Sequence, residues 1–432
     1  MARARIAYIG AGSTRAPGVA AGLIARAAAF AGSEVALIDV DADHLRVVER
    51  LAQGMARAAG ADIRFTAFTD RRAGLRDADI VLSSFRPGGF EARRLDELIP
   101  LRHGVIGQET QGPGGFFMAL RAVHALRPML ADMEAVCPRA HLLNYTNPVN
   151  IVAEAVSRLA GRSVISLCEG PIIFPREVAE AAGLDPAGLD VVMIGLNHAC
   201  WSVRHLHDGE DFVAKVRAAW AERRGDPGLP PQARRLLHMT DAFGSVPAQY
   251  FKYYHFRDEI LDELRAAPLS RAETIMAEAP GHWAHYEEQA GAEAPRLDPA
   301  LSRGGMDLLE IAVDVMDAIA NDKREVWPVN VPNRGAIEGL PDDLVVEVPG
   351  LVDRHGARPL ASGPLPSPVR GLVMALAEYQ RLAADAAWSG GRREGVQALL
   401  ANPLVPSIPV AEAIYDDMAR AHAAHLPERL LR

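Results

Sequence analysis

Cysteine, histidine and asparagine side chains follow three short apolar runs in the middle of the chain. The runs end in Asn144-Tyr-Thr-Asn-Pro, in Leu-Cys168-Glu and in Leu-Asn-His198. Open α/β sheets bind ligands where such apolar strands end, so these side chains are expected to converge. A thiolate and an imidazole suit a divalent ion such as Mn, Fe, Co, Ni or Zn, with open positions left for substrate oxygens. The pattern indicates a metal site at Cys168 and His198, although a lone Cys or His is more often a buried structural residue.

A glycine turn near the N-terminus indicates a nucleotide. The run at 5–9 is typical of a buried strand, and an Ala-rich helical run follows the turn. A second predicted strand ends at Asp39, where a ribose-binding acid belongs, while Arg15 replaces the third glycine of the fingerprint. The alternative is a structural turn with a capping aspartate. The residues predicted to bind a dinucleotide are Gly10, Gly12, Ser13, Thr14 and Asp39.

Strands and helices must alternate to position these residues. Further apolar runs at 63–66 and 78–84 predict a doubly wound parallel sheet over residues 1–196. The stretch 85–94 is interpreted as a loop whose arginines clamp an anionic ligand or form a solvated basic surface. A glycine-dense loop at 106–115 carries one carboxylate, Glu109, and a helix is expected from Phe116.

The second half of the chain differs in character. Residues 324–348 alternate as antiparallel strands do, and helices surround them, so 197–432 is predicted to be an interlocked α+β domain for substrate, metal and oligomerisation. Three tyrosines lie together at 250–254. Aromatic clusters are usually core packing, and composition alone favours that interpretation for these.

Composition excludes several classes of protein. The 432 residues are 49% hydrophobic and 23% charged, which fits a globular chain of more than one domain. A net charge of −9 gives no footprint for nucleic acid. Three cysteines do not make a disulfide framework, no apolar run is long enough for a membrane span, and the first strand begins too early for a secretory signal. A cytoplasmic location is expected.

The motifs together resemble glycoside hydrolase family 4. They are Gly10-Ala-Gly-Ser-Thr, Gly107-Gln-Glu-Thr-Gln-Gly-Pro-Gly-Gly, Asn144-Tyr-Thr-Asn-Pro, Cys168, Gly195-Leu-Asn-His-Ala-Cys-Trp, Pro247-Ala-Gln-Tyr-Phe-Lys-Tyr-Tyr and Val331-Pro-Asn-Arg-Gly-Ala-Ile. The resemblance implies an N-terminal fold like that of lactate and malate dehydrogenases. It also implies hydrolysis of α- or β-glycosides, often 6-phosphorylated, with NAD⁺ and a divalent metal, most commonly Mn²⁺. A homodimer or homotetramer is expected.

The resemblance also implies a redox route, since this family departs from two-carboxylate glycosidase chemistry. The sugar is oxidised at C3, its C2 proton is removed, the aglycone is eliminated, water adds, and the stored hydride is returned. Cys168 and His198 match the metal ligands. Tyr250 matches the base that removes the C2 proton, and Glu109 matches the carboxylate that raises its basicity.

Other positions match the family less uniformly. Glu169 stands where α-specific phosphoglucosidases carry an Asp proposed as general acid, so the anomer stays open. The positions that match substrate contacts are Arg93, Asn147 and Arg271. Arg15 replaces an aromatic residue, which can alter recognition of a phosphate, a carboxylate or a hydroxyl at C6.

Two other functions share parts of this pattern. A 2-hydroxyacid dehydrogenase would share the dinucleotide half but needs no Cys/His metal pair, and its His/Asp dyad is not found. A non-catalytic NAD-sensing protein would not need Tyr250, Cys168 and His198 together. The sequence therefore favours the glycosidase.

Overall fold

Within residues 3–302 and 310–432, which the computed structural model describes, twelve strands form one sheet and two form a small second sheet. The strands are β1 (Arg5–Ile9), β2 (Ser33–Ile38), β3 (Ile63–Phe68), β4 (Ile80–Ser83), β5 (His141–Asn144), β6 (Val164–Ser166), β7 (Leu189–Leu196), β8 (Ala199–His207), β9 (Glu210–Asp211), β10 (Glu325–Pro332), β11 (Ile337–Glu338), β12 (Val345–Asp353), β13 (Gly356–Pro359) and β14 (Gly363–Pro364).

Helices cover the sheet and build the C-terminal part of the chain. They are α1 (Ala16–Ala25), α2 (Ala42–Ala58), α3 (Arg71–Leu75), α4 (Gly89–Arg102), α5 (Gly112–Val136), α6 (Val149–Glu154), α7 (Gly170–Ala182), α8 (Phe212–Arg223), α9 (Pro231–Phe243), α10 (Lys252–His255), α11 (Arg257–Ala266), α12 (Arg271–Ala290), α13 (Glu310–Ala320), α14 (Ser367–Trp388), α15 (Arg392–Ala401) and α16 (Ile408–Ala421). Of the helices in the described ranges, none has the length and apolar character that a membrane crossing requires.

The first half of the sheet is parallel, in the order β3-β2-β1-β4-β5-β6. Strands such as β4 are buried at every residue, because helices cover both faces, and this explains their continuous apolar runs. Strand order reverses between β1 and β4, and ligands bind at such a switch point. The predicted doubly wound sheet is confirmed.

The second half of the sheet is antiparallel and continues the first without a break. β10 joins β6 through the pair Asn330 and Ser166, and β12 joins β7 through Glu347 and Gly195. The predicted α+β second half is confirmed. The division at residue 196 stays a prediction, and it falls at the end of β7, just before the turn of the β7–β8 hairpin.

Two predicted loops are helical in their second parts, while residues 85–88 and 106–111 are not helical. Residues 85–94 were expected to form a loop, but α4 begins at Gly89, after Gly88 at a φ of 82°, so Arg93 lies on a helix. α5 begins at Gly112 rather than at Phe116. Glycines are present in its first turn because a Cβ at Gly114 would collide with the carbonyl of Gln108, so the glycine density reflects close packing.

Candidate active site

A cavity of about 730 Å³ lies at the switch point of the parallel sheet. It is lined by the ends of β1, β2, β4 and β5, and α1 begins just after the glycine turn in its wall. A helix N-terminus beside a glycine turn favours bound phosphate groups. All five predicted cofactor residues line this cavity: Gly10, Gly12, Ser13, Thr14 and Asp39.

The glycine turn leaves room that a side chain would fill. Gly10 has a φ of 96°, and a Cβ there would collide with the carbonyl oxygen of Ser84. A Cβ on Gly12 would lie 2.7 Å from the carboxyl carbon of Asp39. The turn thus presents bare backbone to the cavity, which fits a pyrophosphate that approaches it closely.

Backbone amides hold the carboxylate of Asp39 in place. The N–H of Gly12 donates to its Oδ2 at 2.7 Å and the N–H of Asp41 to its Oδ1 at 3.0 Å. Both oxygens are oriented at the end of β2, where they can accept further bonds from ribose hydroxyls. A fixed negative charge there also disfavours a phosphate on that ribose.

An aromatic pair that sequence reasoning missed forms the far wall of the cavity. The ring of Trp283, on α12, stacks on His44, on α2, with centroids 3.8 Å apart and planes at 13°. Both residues line the cavity beside Asp39. A flat apolar surface at this end suits an adenine ring. The two positions are far apart in sequence, so no local signal could have paired them.

The strand end at Asn144 ties three strands together. Its side chain accepts a hydrogen bond from Ser83 on β4 at 2.8 Å and donates to Ser166 on β6 at 3.0 Å. This lateral bonding fixes the following residues, and Tyr145 and Asn147 line the cavity. Asn144 therefore positions the strand end, and Asn147 faces the space where a ligand fits.

Glu109 forms ion pairs with two arginines, of which Arg93 is buried and Arg86 is partly buried. Its Oε2 lies 2.6 Å from Nη2 of Arg86 and 3.1 Å from Nη1 of Arg93. Burial alone would raise the pKa of this carboxyl, but the guanidinium groups of Arg86, Arg93 and Arg15 outweigh it and lower the pKa to about 2. Glu109 is therefore ionised at neutral pH.

Arg93 connects this ion pair to α12. Its Nε donates to Oε1 of Glu97 at 2.7 Å, and Oε2 of Glu97 accepts from the backbone N–H of Ala272 at 2.8 Å. The predicted substrate residue Arg271 is the first residue of α12 and is exposed. Arg93 is thus linked, through Glu97, to the first turn of α12, the helix that carries Arg271.

His198 lies in the two-residue turn between β7 and β8, at a φ of 61°. A non-glycine residue in this left-handed region is uncommon and clusters at functional sites. The imidazole contacts Thr110, whose Oγ1 is 3.0 Å from Nδ1. Burial lowers the pKa of His198 to about 4, so the imidazole is neutral and able to bind a metal ion.

Cys168 follows β6 at the start of α7. The N–H of Gly170 donates to its Sγ at 3.4 Å, and the side chain of Asn197, next to His198, lies close enough to lower the pKa of the thiol. Burial, with a contribution from the charge of Glu347, raises the pKa of the thiol to about 12. Metal binding would have to displace that proton, which makes affinity dependent on pH.

Glu347 is a buried carboxylate that sequence reasoning missed. Its Oε1 accepts from Asn197 and from Asn330, both at 3.0 Å, and the nearby thiol of Cys200 lowers its pKa. Burial raises its pKa to about 7. The sequence signal that could have revealed this residue is an acid inside the apolar run that starts β12. That strand has neighbours on both sides. Through Asn197, Glu347 supports Cys168.

Tyr250 occupies a short 3₁₀ turn, Gln249–Phe251, and brings the site together. Its ring stacks on His198, and its hydroxyl interacts electrostatically with Cys168, Glu109 and Arg93. Burial raises the pKa of Tyr250 well above its usual value, and the nearby charge of Arg93 offsets only part of that rise. The aromatic cluster is therefore partly core packing, as composition favoured, and its Tyr250 also contacts His198.

Glu169 lies beside a second tyrosine. The hydroxyl of Tyr145 is 3.4 Å from its Oε1. Tyr145 also lines the cofactor cavity, so it connects the carboxylate to that cavity.

The donor set fits a metal site with two protein ligands. Over the described ranges, no group of three or more His, Cys, Asp and Glu side chains is arranged to hold a metal. The imidazole of His198 stacks on Tyr250 and the thiol of Cys168 interacts with it electrostatically, so two donors near one tyrosine leave coordination positions for another ligand.

Comparison with protein families gives two matches. The model of "Family 4 glycosyl hydrolase" matches residues 5–184, and that of "Family 4 glycosyl hydrolase C-terminal domain" matches residues 193–405. A Bacillus subtilis protein named probable 6-phospho-beta-glucosidase is 36% identical over 437 residues, covering 98% of this chain and 97% of its own.

Solved structures of similar proteins cover the whole fold. The 6-phospho-beta-glucosidase of Thermotoga maritima, with NAD and glucose-6-phosphate, has a TM-score of 0.86 at 27% identity over 99% of this chain and 100% of its own. A 6-phospho-alpha-glucosidase from gut microorganisms, with NAD and Mn²⁺, has a TM-score of 0.86 at 26% identity over 99% of each chain. Cryptosporidium parvum malate dehydrogenase, at 12% identity, covers 89% of this chain and 99% of its own with a TM-score of 0.56, so the likeness is one of fold.

Proposed function

This chain belongs to family 4 of the glycosyl hydrolases, and on that premise we propose that its substrates are 6-phosphorylated β-glucosides. It is a glycoside hydrolase that depends on NAD and on a divalent metal, Mn²⁺. The relatives include both α- and β-specific phosphoglucosidases. The 36% identity to the Bacillus subtilis protein supports the β anomer for this chain.

A group of three arginines is the observation that supports a phosphorylated sugar. Arg15, Arg86 and Arg93 lie around Glu109, and Arg93 also pairs with Glu97. Arg15 and Arg86 line the cavity. A phosphate dianion is stabilised by such a group of arginines, and a plain hydroxyl gains little from it.

The cofactor half has a defined division of labour in this proposal. NAD⁺ supplies a hydride acceptor that is regenerated within each turnover. The turn from Gly10 to Thr14 would hold the pyrophosphate, Asp39 would accept from the adenosine ribose, and Trp283 would pack against the adenine. Tyr145 and Asn147 line the same cavity and would face the sugar.

The site between the two halves holds the sugar and moves its protons. Cys168 and His198 are the protein ligands, and a bound divalent cation supplies Lewis acidity and a positive charge next to Tyr250. Tyr250 takes the C2 proton of the sugar. The charges of Glu109 and Arg93 act on its hydroxyl, with Glu109 raising the pKa and Arg93 lowering it. Arg93, Asn147 and Arg271 bind the substrate.

Glu169 is the proposed general acid for the departing aglycone. Its position at the start of α7, next to Cys168, supports this role. Tyr145 contacts its carboxylate, and this contact can orient the longer arm that Glu has in comparison with Asp. Assembly as a homodimer or homotetramer and a location in the cytoplasm are further predictions, which sedimentation and cell fractionation test.

The experiment that tests the function measures p-nitrophenol release from α- and β-glucosides with and without a 6-phosphate. NAD⁺ and Mn²⁺ are each added or omitted. We expect release from the 6-phospho-β-glucoside that needs both cofactors, without net accumulation of NADH. Release from the 6-phospho-α-glucoside alone would overturn the proposed preference for the β anomer. NADH accumulation on a 2-hydroxy acid, with no aglycone released, would replace the glycosidase by the dehydrogenase.

A further inference from the structure

Thr110 and Gln108 form a hydrogen-bonded chain behind His198. Oγ1 of Thr110 lies 3.0 Å from Nδ1 of His198 and 2.9 Å from Oε1 of Gln108. Thr110 is buried, and the contact spans 88 residues of sequence. The chain of contacts therefore joins the loop before α5 to the turn between β7 and β8.

Donor and acceptor counting fixes the direction of each bond. Oε1 of Gln108 accepts from the backbone N–H groups of Thr110, at 2.6 Å, and Gln111, at 2.8 Å. Backbone N–H groups only donate, so the atom of Gln108 at this point is its carbonyl oxygen and not its amide nitrogen. The orientation of the Gln108 amide is thereby determined by two independent bonds.

The direction of the Thr110 hydroxyl follows from that orientation. If its hydrogen pointed to His198, its lone pairs would face the lone pairs of Gln108 Oε1 at 2.9 Å. The hydroxyl therefore donates to Gln108 and accepts from His198. Nδ1 of His198 must then carry the ring hydrogen, and the lone pair of the neutral ring is on Nε2.

We propose that Thr110 and Gln108 are positioning residues that hold His198 in its Nδ1–H tautomer and aim Nε2 at the metal. This inference rests on the proposed role of His198 as a ligand. The stack with Tyr250, at 3.8 Å and 8°, fixes the plane of the imidazole, and the Thr110 bond fixes its rotation within that plane. Both contacts together determine the direction in which Nε2 points.

Partners behind a histidine ligand contribute strongly to metal binding, and losing one typically costs about 10- to 100-fold in affinity. The Thr110→Val variant keeps the shape of the side chain and removes the hydroxyl. The Thr110→Ser variant keeps the hydroxyl. Thr240→Val is the matched control, because Thr240 is buried and its hydroxyl donates to the carbonyl of Leu236 at 2.8 Å, away from the site.

Two readouts test the proposal. Long-range ¹H–¹⁵N correlation on metal-free protein with labelled histidine reports the tautomer, and His198→Gln identifies the signal among 14 histidines. Mn²⁺ titration followed by electron paramagnetic resonance reports the dissociation constant. We expect Nδ1–H in the wild type and in Thr110→Ser. In Thr110→Val we expect a loss of that signature with about 10- to 100-fold weaker Mn²⁺ binding, while Thr240→Val binds as the wild type does.

An unchanged tautomer and unchanged Mn²⁺ affinity in a folded Thr110→Val would overturn the inference. Nε2–H in the wild type would overturn it as well. The proposed metal role fails separately, if His198→Gln binds Mn²⁺ as tightly as the wild type does. Because the tautomer is read without metal, the two failures are distinguishable.

Discussion

The phenol ring of Tyr250 lies flat on the imidazole of His198, with ring centroids 3.8 Å apart and planes within 8°. This contact places the proposed base directly against a proposed metal ligand. A positive charge bound at His198 acts on the phenol at close range. The proposed base and the proposed metal ligand are therefore positioned by the same ring contact.

Removal of the Tyr250 hydroxyl tests the base. Tyr250→Phe keeps the ring and its stack, so stability and Mn²⁺ binding should be retained. Aglycone release should fall by a factor of about 100 to 10,000, the usual contribution of a positioned base. Steady-state kinetics with a p-nitrophenyl substrate measures this. Tyr253→Phe, whose ring lies 6.3 Å from that of Tyr250, is the control, and an equal loss in both variants would refute the assignment.

The charge of Glu109 should stabilise the fold in a pH-dependent way. Its folded pKa of about 2 lies below the ordinary 4.5, so the stabilisation is present above pH 4.5 and is lost as pH falls towards 2. The shift corresponds to about 3 kcal/mol at neutral pH. Urea unfolding should show Glu109→Gln less stable than the wild type by about this amount at pH 7, with a gap that narrows between pH 5 and pH 3.

A surface pair provides the control for that measurement. Glu91 pairs with Arg94 at 2.6 Å but is half-exposed, so solvent screens it. Glu91→Gln should change stability little at any pH. A gap for Glu109→Gln that stays constant from pH 7 to pH 3 would show that its ionisation does not contribute.

Arg15 should discriminate in favour of a charged C6 substituent. In Arg15→Met, kcat/KM for the 6-phosphorylated substrate should fall about 10- to 100-fold, because a hydrogen bond to a charged group contributes about 1.5–3 kcal/mol. The rate on the unphosphorylated glucoside should change little. Arg94→Met is the matched control, since Arg94 pairs with Glu91 away from the cavity. Parallel losses on both substrates would exclude a role in recognising the phosphate.

Asp39 should select NAD over NADP. Asp39→Asn keeps an oxygen for a backbone amide but removes the charge at the ribose. NAD affinity should fall by about tenfold or more, and the preference over NADP should shrink by more than that. Fluorescence titration with both reduced cofactors measures the ratio, with the exposed Asp43→Asn as control. An unchanged ratio would place the ribose elsewhere.

Local patterns predicted the cofactor half well. β1 was predicted with its observed bounds, and the glycine turn and Asp39 line one cavity, because strand, turn and helix within forty residues determine that geometry. Arg93 was misplaced on a loop. Its helix starts with two glycines, residues that usually interrupt helices. Whether this segment forms a helix depends on packing against the rest of the protein.

The parts that sequence reasoning missed depend on distant partners. Trp283 meets His44 across more than half of the chain, and Thr110 meets His198 across 88 residues. Glu347 lies in a strand that inserts between β10 and β7. No periodicity within a segment encodes such pairs, since they follow from the order of strands in the sheet.

The unbroken sheet also limits how the chain can be divided. β10 and β12 come from late in the sequence, yet they lie between β6 and β7, with β10 bonded to β6 and β12 bonded to β7. A cut near residue 190 would leave the edges of β6 and β10 unpaired, so neither half can be exchanged as a finished module. Engineered chimaeras of this protein must therefore carry β10 and β12 along with the cofactor half.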